Sequence, residues 1–244
     1  MQYLDHFEAV LFDLDGVLTA TSKIHAACWK KMFDDFLQQR ASRSGDPFIP
    51  FDIDHDYKLY VDGKLRDEGV HSFLESRGIE LPYGSLEDPP SQETVCGLAN
   101  LKFEMVHRVL ESEGVSAFEG SVALVRSLRR NNIKMAVVSS SKSCKVVLES
   151  AGIKDLFDEI VDGEVATQLK LPGKPAPDTY LKAAELLGVS PERAVVVEDA
   201  ISGVQAGRNG GFGLVIGVAR EDNAAILREQ GADIVVADLG ELLI

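Results

Sequence analysis

Two carboxylates one residue apart, Asp13 and Asp15, are the first residues of this chain that could do chemistry. They follow an unbroken apolar run at 9–12, which is typical of a strand buried on both faces of a parallel sheet. Two acids at the end of a buried strand repel each other and resist desolvation, so something must compensate them, and a divalent cation is the obvious candidate. Mg²⁺ suits such hard oxygen ligands. Taken alone, the pair is also compatible with an ordinary strand end and turn, because Asp and Gly16 are common turn residues.

Two further stretches carry residues that could bind an anion. Ser139 and Ser140 follow the apolar run 135–138 at the start of a helical pattern, where hydroxyl and backbone N–H groups form a ready anion site. A plain helix cap is the alternative. Lys174 lies in a proline-stiffened loop that would aim its ammonium group, and a solvated surface lysine is the alternative there.

A second acidic pair, Glu198 and Asp199, follows the apolar run 194–197. The pair could simply cap the helix that begins near residue 200. In doubly wound sheets, however, ligands bind beyond the carboxyl ends of the strands. Four carboxylates would then meet at one edge of the sheet, which is unstable without a metal. With a hydroxyl and a lysine at the same edge, the pattern predicts a phosphate–Mg²⁺ site.

Composition excludes several classes of partner. The 244 residues carry a formal net charge of −14 with a pI near 4.8, which argues against binding to nucleic acids and to anionic membranes. The sequence shows neither an apolar run of membrane-spanning length nor a signal-peptide pattern, so a cytoplasmic location is expected. The three cysteines are widely spaced and are expected to be buried, reduced thiols.

Hydrophobic periodicity divides the chain into two regions. Helices are predicted at 23–39, 67–77 and 92–113, and the rest of the stretch from 40 to 90 is loop-like. Beyond it, helices and strands alternate, with helices at 121–131, 142–151, 178–187, from 200 and at 222–230, and strands at 135–138, 159–161, 194–197, 213–218 and 233–236. Alternation of this kind requires a parallel sheet with crossover helices. The fold class is therefore α/β with a doubly wound, mostly parallel sheet. The sheet belongs to a core domain (1–20 and 115–244), and a helical cap domain (21–114) is inserted after the first strand.

These motifs, in this order and over nearly the whole chain, resemble the haloacid dehalogenase superfamily with its Rossmann-like core. The stretches DGVLTATSKIHAACW, SSSKS and KPAPDTYLKAA are similar to its β-phosphoglucomutase-like branch. The resemblance implies the following roles: Asp13 as the nucleophile that forms an aspartyl-phosphate, Asp15 as general acid/base, Ser139, Ser140 and Lys174 as phosphate ligands, and Asp13, Asp15 (through its backbone carbonyl), Glu198 and Asp199 as the Mg²⁺ site. Elementary chemistry agrees, because phosphate repels a carboxylate nucleophile unless positive charge intervenes.

The resemblance also implies that three side chains of the cap face the substrate, namely His25, Arg66 and Lys102. Their alternatives are a partly buried histidine and solvated cations on helix surfaces. Phe103 follows Lys102 where the mutase pattern has a polar residue.

The leading hypothesis is a monomeric, Mg²⁺-dependent β-phosphoglucomutase-type enzyme that interconverts glucose 1-phosphate and glucose 6-phosphate, with the cap closing as a lid. The alternatives are a phosphatase acting on a small sugar phosphate and a catalytically silent phosphate-binding module.

Overall fold

The computed structural model describes residues 6–220 and 223–243. The described strands are β1 (Ala9–Phe12), β2 (Lys134–Val138), β3 (Glu159–Val161), β4 (Ala194–Glu198), β5 (Leu214–Val218) and β6 (Ile234–Val236). The described α-helices are α1 (Ser22–Ser44), α2 (Arg66–Ser76), α3 (Val95–Glu113), α4 (Glu119–Arg130), α5 (Cys144–Ser150), α6 (Gly163–Leu169), α7 (Asp178–Leu187), α8 (Ile201–Asn209) and α9 (Ala224–Glu229). A π-helix spans Ile53–Val61, and short 3₁₀ segments span Lys154–Leu156, Pro191–Arg193 and Leu239–Leu243.

The chain divides into two compact units. The first unit combines the residues up to Thr21 with those from Val115 onward, and it contains the sheet. The second unit spans Ser22–Gly114 and consists of α1, α2, α3 and the π-helix. The second unit therefore interrupts the first between β1 and α4.

Within the described residues, the sheet of the first unit has six strands in the order β3-β2-β1-β4-β5-β6, and all of its pairs are parallel. This confirms the predicted α/β class. Phe12 at the end of β1 is in register with Val137 of β2 and with Val197 of β4. The carboxyl ends of three strands therefore lie side by side where the strand order reverses, which is the position at which such sheets bind ligands.

The central strands are buried on both faces, because helices flank the sheet. All four residues of β1 and all five of β4 are buried. The apolar runs at 9–12 and 194–197 predicted this burial, whereas Glu198, the fifth residue of β4, was predicted to follow the strand. On one face, alternate side chains such as Leu11 and Val196 pack with Tyr180 of α7 and Ala206 of α8. This packing fixes the positions from which the polar residues after each strand project.

Several elements differ from the predicted ones. Helix α1 continues to Ser44, five residues beyond the predicted end. The π-helix falls in a stretch interpreted as a loop; Asp52 caps it by accepting the N–H groups of Asp54 and His55. Helix α6 was not predicted, because its seven residues are too few to show a helical period. The predicted start of the helix at 222 lies outside the described residues.

Burial of the three cysteines agrees with the expectation from the sequence. Cys28, Cys96 and Cys144 are all buried, as predicted. Every helix in the described ranges is too short or too polar to cross a lipid bilayer.

The second unit has its own aromatic core. Phe33 of α1 is fully buried, and its ring centroid lies 4.1 Å from that of Phe73 and 5.1 Å from that of Phe51. Trp29, one turn earlier on α1, stacks on Phe33 at 5.3 Å. Aromatic pairs at such distances contribute beyond the area that they bury, so this cluster holds α1, α2 and the segment before the π-helix together.

Truncating the centre of this cluster should destabilise the protein strongly. We expect Phe33→Ala to lower the free energy of unfolding by about 3–5 kcal/mol, because it removes a buried ring and leaves a cavity. Urea unfolding followed by circular dichroism measures the change. Leu59→Ala, at a position that is 46% exposed, is the control. Equal losses in the two variants would contradict the role given to the aromatic cluster.

Candidate active site

The candidate site is built around the buried side chain of Lys174. Its Nζ atom lies 2.6 Å from Oδ1 of Asp13 and 2.6 Å from Oε1 of Glu198. It also donates to the backbone carbonyl of Val138 at 3.2 Å. Lys174 thus touches the carboxyl ends of β1, β2 and β4 at once, and its side chain is only 1% exposed. The alternative of a solvated surface lysine is therefore wrong.

The two acidic neighbours of Lys174 stabilise its positive charge. Burial disfavours the ammonium form, but Asp13 and Glu198 outweigh burial and raise the pKa of Lys174 above its ordinary value. Lys174 therefore remains a cation at neutral pH. A fixed positive charge beside Asp13 is what an incoming phosphate dianion requires.

Asp13 is in an environment that opposes its ionisation. Burial raises the pKa of Asp13, and the opposing effect of Lys174 is not enough to restore it, since Glu198 and Asp15 add negative charge nearby. Its backbone N–H donates to the carbonyl of Val197 at 2.9 Å, which fixes the residue at the end of β1. A carboxylate held in this way needs further positive charge before it can act as a nucleophile.

Three acids lie close enough together to bind one cation. One oxygen each from Asp13, Glu198 and Asp199 lies within 4.8 Å of the other two. Gly16 makes this possible: its φ is +87°, and a Cβ atom there would lie 1.8 Å from Oδ2 of Asp199. A set of carboxylate oxygens suits Mg²⁺, so the donor set passes the chemical test for a hard divalent ion. The predicted ligands Asp13, Glu198 and Asp199 are thus brought together.

Glu198 also accepts hydrogen bonds from both side chains and backbone. Its Oε1 accepts from Lys174 and from the hydroxyl of Tyr180 at 2.8 Å. Its Oε2 accepts the backbone N–H groups of Asp199 at 3.1 Å and Ala200 at 3.2 Å. The capping alternative therefore applies in part, because Glu198 accepts backbone N–H groups in the turn that leads into α8.

Tyr180 was missed by the sequence reasoning. Its ring lies 5.0 Å from Nζ of Lys174, and burial followed by the neighbouring Glu198 raises its pKa, so the hydroxyl keeps its proton and donates. A tyrosine on the apolar face of α7 is not distinguishable from a core residue by spacing. A signal would have been its position in the first turn of the helix that follows the Lys174 loop, because the other buried residues of that helix are mostly small or aliphatic.

Asp15 lies on the loop after β1, and its side chain is not part of the three-acid cluster. It accepts a hydrogen bond from the hydroxyl of Thr21, whose oxygen is in turn 2.8 Å from that of Thr19. Two threonines thus orient the carboxyl group that is predicted to act as general acid and base.

The predicted phosphate serines follow β2. Ser139 is buried, its N–H donates to the carbonyl of Val161, and its hydroxyl accepts the N–H of Ser141 at 3.1 Å. Ser140 comes next, and Gly163 allows the chain to approach it, since a Cβ there would lie 2.5 Å from the Ser140 carbonyl. Helix α5 begins only at Cys144, so these serines form a hydrogen-bonded turn before the helix and do not cap it directly.

The three predicted cap residues belong to the second unit. Nδ1 of His25 and Nζ of Lys102 are 2.8 Å apart, and Nζ of Lys102 lies 4.7 Å from the ring centroid of Trp29. The guanidinium of Arg66 lies 4.9 Å from the ring of Phe103. Lys102 is 7% exposed, so the solvated alternative is wrong for it.

Comparisons with known proteins match this architecture. A family model described as haloacid dehalogenase-like hydrolase matches residues 7–211. A β-phosphoglucomutase of Mycobacterium bovis is 50% identical over 238 residues, covering 96% of this chain and 91% of that protein. The β-phosphoglucomutase of Bacillus subtilis is 32% identical, covering 96% of this chain and 91% of that protein. The crystal structure of a Clostridium difficile β-phosphoglucomutase superimposes with a TM-score of 0.75 at 26% identity, covering 97% of this chain and 93% of that one.

The crowding of acids leads to a prediction about stability. In the presence of a chelator, Asp13→Asn should raise the free energy of unfolding by about 1 kcal/mol, a usual size for relief of functional strain. The reason is that the substitution removes one of the charges that burial opposes. Chemical denaturation of both proteins measures the difference.

With added Mg²⁺, the wild type should become more stable than Asp13→Asn. An ion that binds only the folded state stabilises it, and the variant lacks one of the ligands. Arg208→Lys, which changes an exposed ion pair with Asp233, serves as the control. The interpretation fails if Mg²⁺ stabilises the wild type and the Asp13→Asn protein equally.

Proposed function

The chain belongs to the haloacid dehalogenase-like hydrolase family, and on that premise we propose that it is a Mg²⁺-dependent phosphoryl-transfer enzyme of the β-phosphoglucomutase type. Its proposed substrates are the 1- and 6-phosphates of glucose. The observation that carries the proposal is the placement of Lys174 against Asp13 beside Glu198 and Asp199, at the switch point of the sheet.

Asp13 is the proposed nucleophile. An oxygen of its carboxylate forms a bond to phosphorus while the bond between phosphorus and the leaving oxygen breaks, which yields an aspartyl-phosphate. A bound Mg²⁺ would supply positive charge that offsets the repulsion between Asp13 and the phosphoryl oxygens. Asp13, Asp199 and Glu198 would hold the ion, together with the backbone carbonyl of Asp15.

Asp15 is the proposed general acid and base. In the first transfer its carboxyl group gives a proton to the departing sugar oxygen, and in the second it takes a proton from the hydroxyl that attacks the aspartyl-phosphate. The hydrogen bond from Thr21 supports this role, because it orients the group without neutralising it.

Lys174 and the serine turn are the proposed phosphate ligands. The ammonium group of Lys174 offsets the repulsion between Asp13 and the phosphoryl oxygens, and the hydroxyl of Ser139 with the turn at Ser140 provides further donors. Phosphoryl transfer depends mostly on positioning and on charge stabilisation, which this set of residues can supply.

The second unit is proposed to recognise the remainder of the substrate. Lys102 and His25 form a hydrogen-bonded pair, and Arg66 adds a second cation. Cations of this kind suit a distal phosphate, which a bisphosphate intermediate must carry. The choice between mutase and phosphatase depends on whether a sugar hydroxyl or water attacks the aspartyl-phosphate, so exclusion of water decides the product.

The product identifies the function. Incubation with β-glucose 1-phosphate and a trace of glucose 1,6-bisphosphate should yield glucose 6-phosphate without free phosphate. Stoichiometric free phosphate would instead make the protein a phosphatase, and absence of both products would make it catalytically silent. Asp13→Asn should lower the rate by at least about 10³-fold, as expected for a residue that forms a covalent intermediate.

The cap residues can be tested separately. We expect Lys102→Met and His25→Asn each to lower kcat/KM for β-glucose 1-phosphate by about tenfold or more, the loss expected for a hydrogen bond to a charged group. Hydrolysis of 4-nitrophenyl phosphate, which has no distal phosphate, should be nearly unchanged.

Lys31→Met is the matched control, since Lys31 is an exposed lysine of α1 that pairs with Asp35. A parallel loss on both substrates in the Lys102 and His25 variants would show a general structural effect and would remove these residues from the proposal.

A further inference from the structure

Arg220, two residues after β5, lies outside the motifs considered so far. Its guanidinium uses all five of its N–H donors. The acceptors are the backbone carbonyls of Gly16 (3.0 Å from Nε) and Val17 (3.3 Å from Nη2), the hydroxyl of Ser121 (3.2 Å from Nη2), the carbonyl of Ala237 (3.2 Å from Nη1) and Oδ2 of Asp238 (2.7 Å from Nη1).

The surroundings fix the plane of this guanidinium. Its Cζ lies 3.7 Å from the ring centroid of Phe118, a stacking geometry that favours a flat, delocalised cation. Ser121 also donates to the carbonyl of Val17 at 2.7 Å, so the same carbonyl is held twice. The side chain of Arg220 is 19% exposed and joins the loop after β1, the start of α4 and the turn after β6.

The loop that Arg220 holds carries the chemistry of the site. Gly16 follows Asp15 directly, and its N–H donates to the carbonyl of Thr19 at 2.8 Å, which closes the loop. The Cα of Gly16 lies against the carboxylate of Asp199, as the overlap with a Cβ atom there demonstrates. A shift of the Gly16 peptide would therefore move Asp15 relative to Asp199.

We propose that Arg220 is a positioning residue that fixes the loop from Asp15 to Thr19, and that it acts on catalysis through the orientation of Asp15. All five N–H donors of the guanidinium bind groups other than the acids around Lys174, so its effect on the site passes through the carbonyls of Gly16 and Val17. The inference rests on the proposed role of Asp15 as general acid.

The chemistry of the leaving group separates this role from a general effect on folding. A sugar alkoxide is a poor leaving group and needs a proton from Asp15, whereas 4-nitrophenolate leaves without one. A misplaced general acid therefore slows transfer from the sugar phosphate and spares the aryl phosphate. A variant that is merely less stable loses activity on both substrates together.

The test variant is Arg220→Lys, which keeps the charge but cannot donate in five directions from one plane. We expect kcat for glucose 1,6-bisphosphate consumption to fall by at least about tenfold, since misplacement of a catalytic group by a fraction of an ångström has effects of this order. The burst of 4-nitrophenolate that accompanies the first transfer should change in rate by less than about threefold, because this step needs no proton from Asp15 and the nucleophile is unaffected. Phe118→Leu, which removes only the stacked ring, should show the same selectivity with a smaller loss.

Hydrogen exchange followed by mass spectrometry gives a readout that does not depend on activity. Amides of residues 14–19 should exchange faster in Arg220→Lys, while those of β1 and β4 stay protected. Arg208→Lys is the matched control, because it alters another arginine–aspartate pair of the same unit away from this loop. Unchanged exchange of residues 14–19, or equal losses on both substrates, would overturn the proposal.

Asp15→Asn separates failure of this inference from failure of the proposed function. Selective loss on the bisphosphate in Asp15→Asn, without such loss in Arg220→Lys, would reject the role of Arg220 alone. If Asp15→Asn shows no selectivity, the general-acid assignment is wrong, and with it the catalytic part of this inference.

Discussion

The contact between Lys174 and two buried acids is the interaction on which the rest of the site depends. A lysine that is 1% exposed is tolerated only because Asp13 and Glu198 each lie 2.6 Å from its Nζ atom. The two acids in turn need the lysine, since the side chain of Glu198 is fully buried and that of Asp13 is only 9% exposed. One cation does not balance two carboxylates, however, and Asp15 and Asp199 add further negative charge. The core of the protein thus contains an excess of negative charge that a bound divalent ion would neutralise.

Strand order explains why residues so distant in sequence form this contact. Asp13 and Glu198 are 185 positions apart, yet β1 and β4 are hydrogen-bonded neighbours and Phe12 is in register with Val197. On the other side of β1, strand β2 brings the carbonyl of Val138 within reach of Lys174. The sheet therefore acts as a fixed frame, and the polar residues after its strands need only short loops to converge. An insertion between β1 and α4 leaves this frame intact, because the strands pair without it.

The sequence allowed the frame and its acids to be predicted for a physical reason. Unbroken apolar strands mark burial on both faces, and a carboxylate directly after such a strand can only lie at the edge of the sheet. The same logic failed for contacts that depend on tertiary structure. Lys174 lies in a loop without periodicity, so its burial could not be inferred from the chain. The hydroxyl of Tyr180 reaches Glu198 only because α7 packs against β1, β2 and β3, next to the end of β4. The spacing of Tyr180 in the sequence matches an ordinary core position.

Arg220 and the π-helix illustrate two further limits. Arg220 contacts three separate segments of the chain. Two of its five acceptors, Gly16 and Val17, belong to the motif after β1, but they accept through their backbone carbonyls, so the sequence pattern does not indicate the contact. The π-helix of the second unit depends on Asp52 and on a buried Asp56 that pairs with Arg77 at 2.6 Å. Scattered acids and tyrosines in such a segment have neither a period of two nor one of 3.6, so a loop was the natural interpretation.

Glu198 shows how one side chain can serve structure and chemistry together. A carboxylate has about four acceptor positions, and those of Glu198 receive Lys174, Tyr180 and the N–H groups of Asp199 and Ala200. Direct ligation of a metal by Glu198 would require one of these donors to move away. The backbone donors are fixed by the turn into α8, so the exchange must involve Lys174 or Tyr180. Because Lys174 also contacts Asp13, displacement of Lys174 from Glu198 would alter the charge next to the nucleophile, whereas displacement of the neutral Tyr180 hydroxyl would leave that charge unchanged.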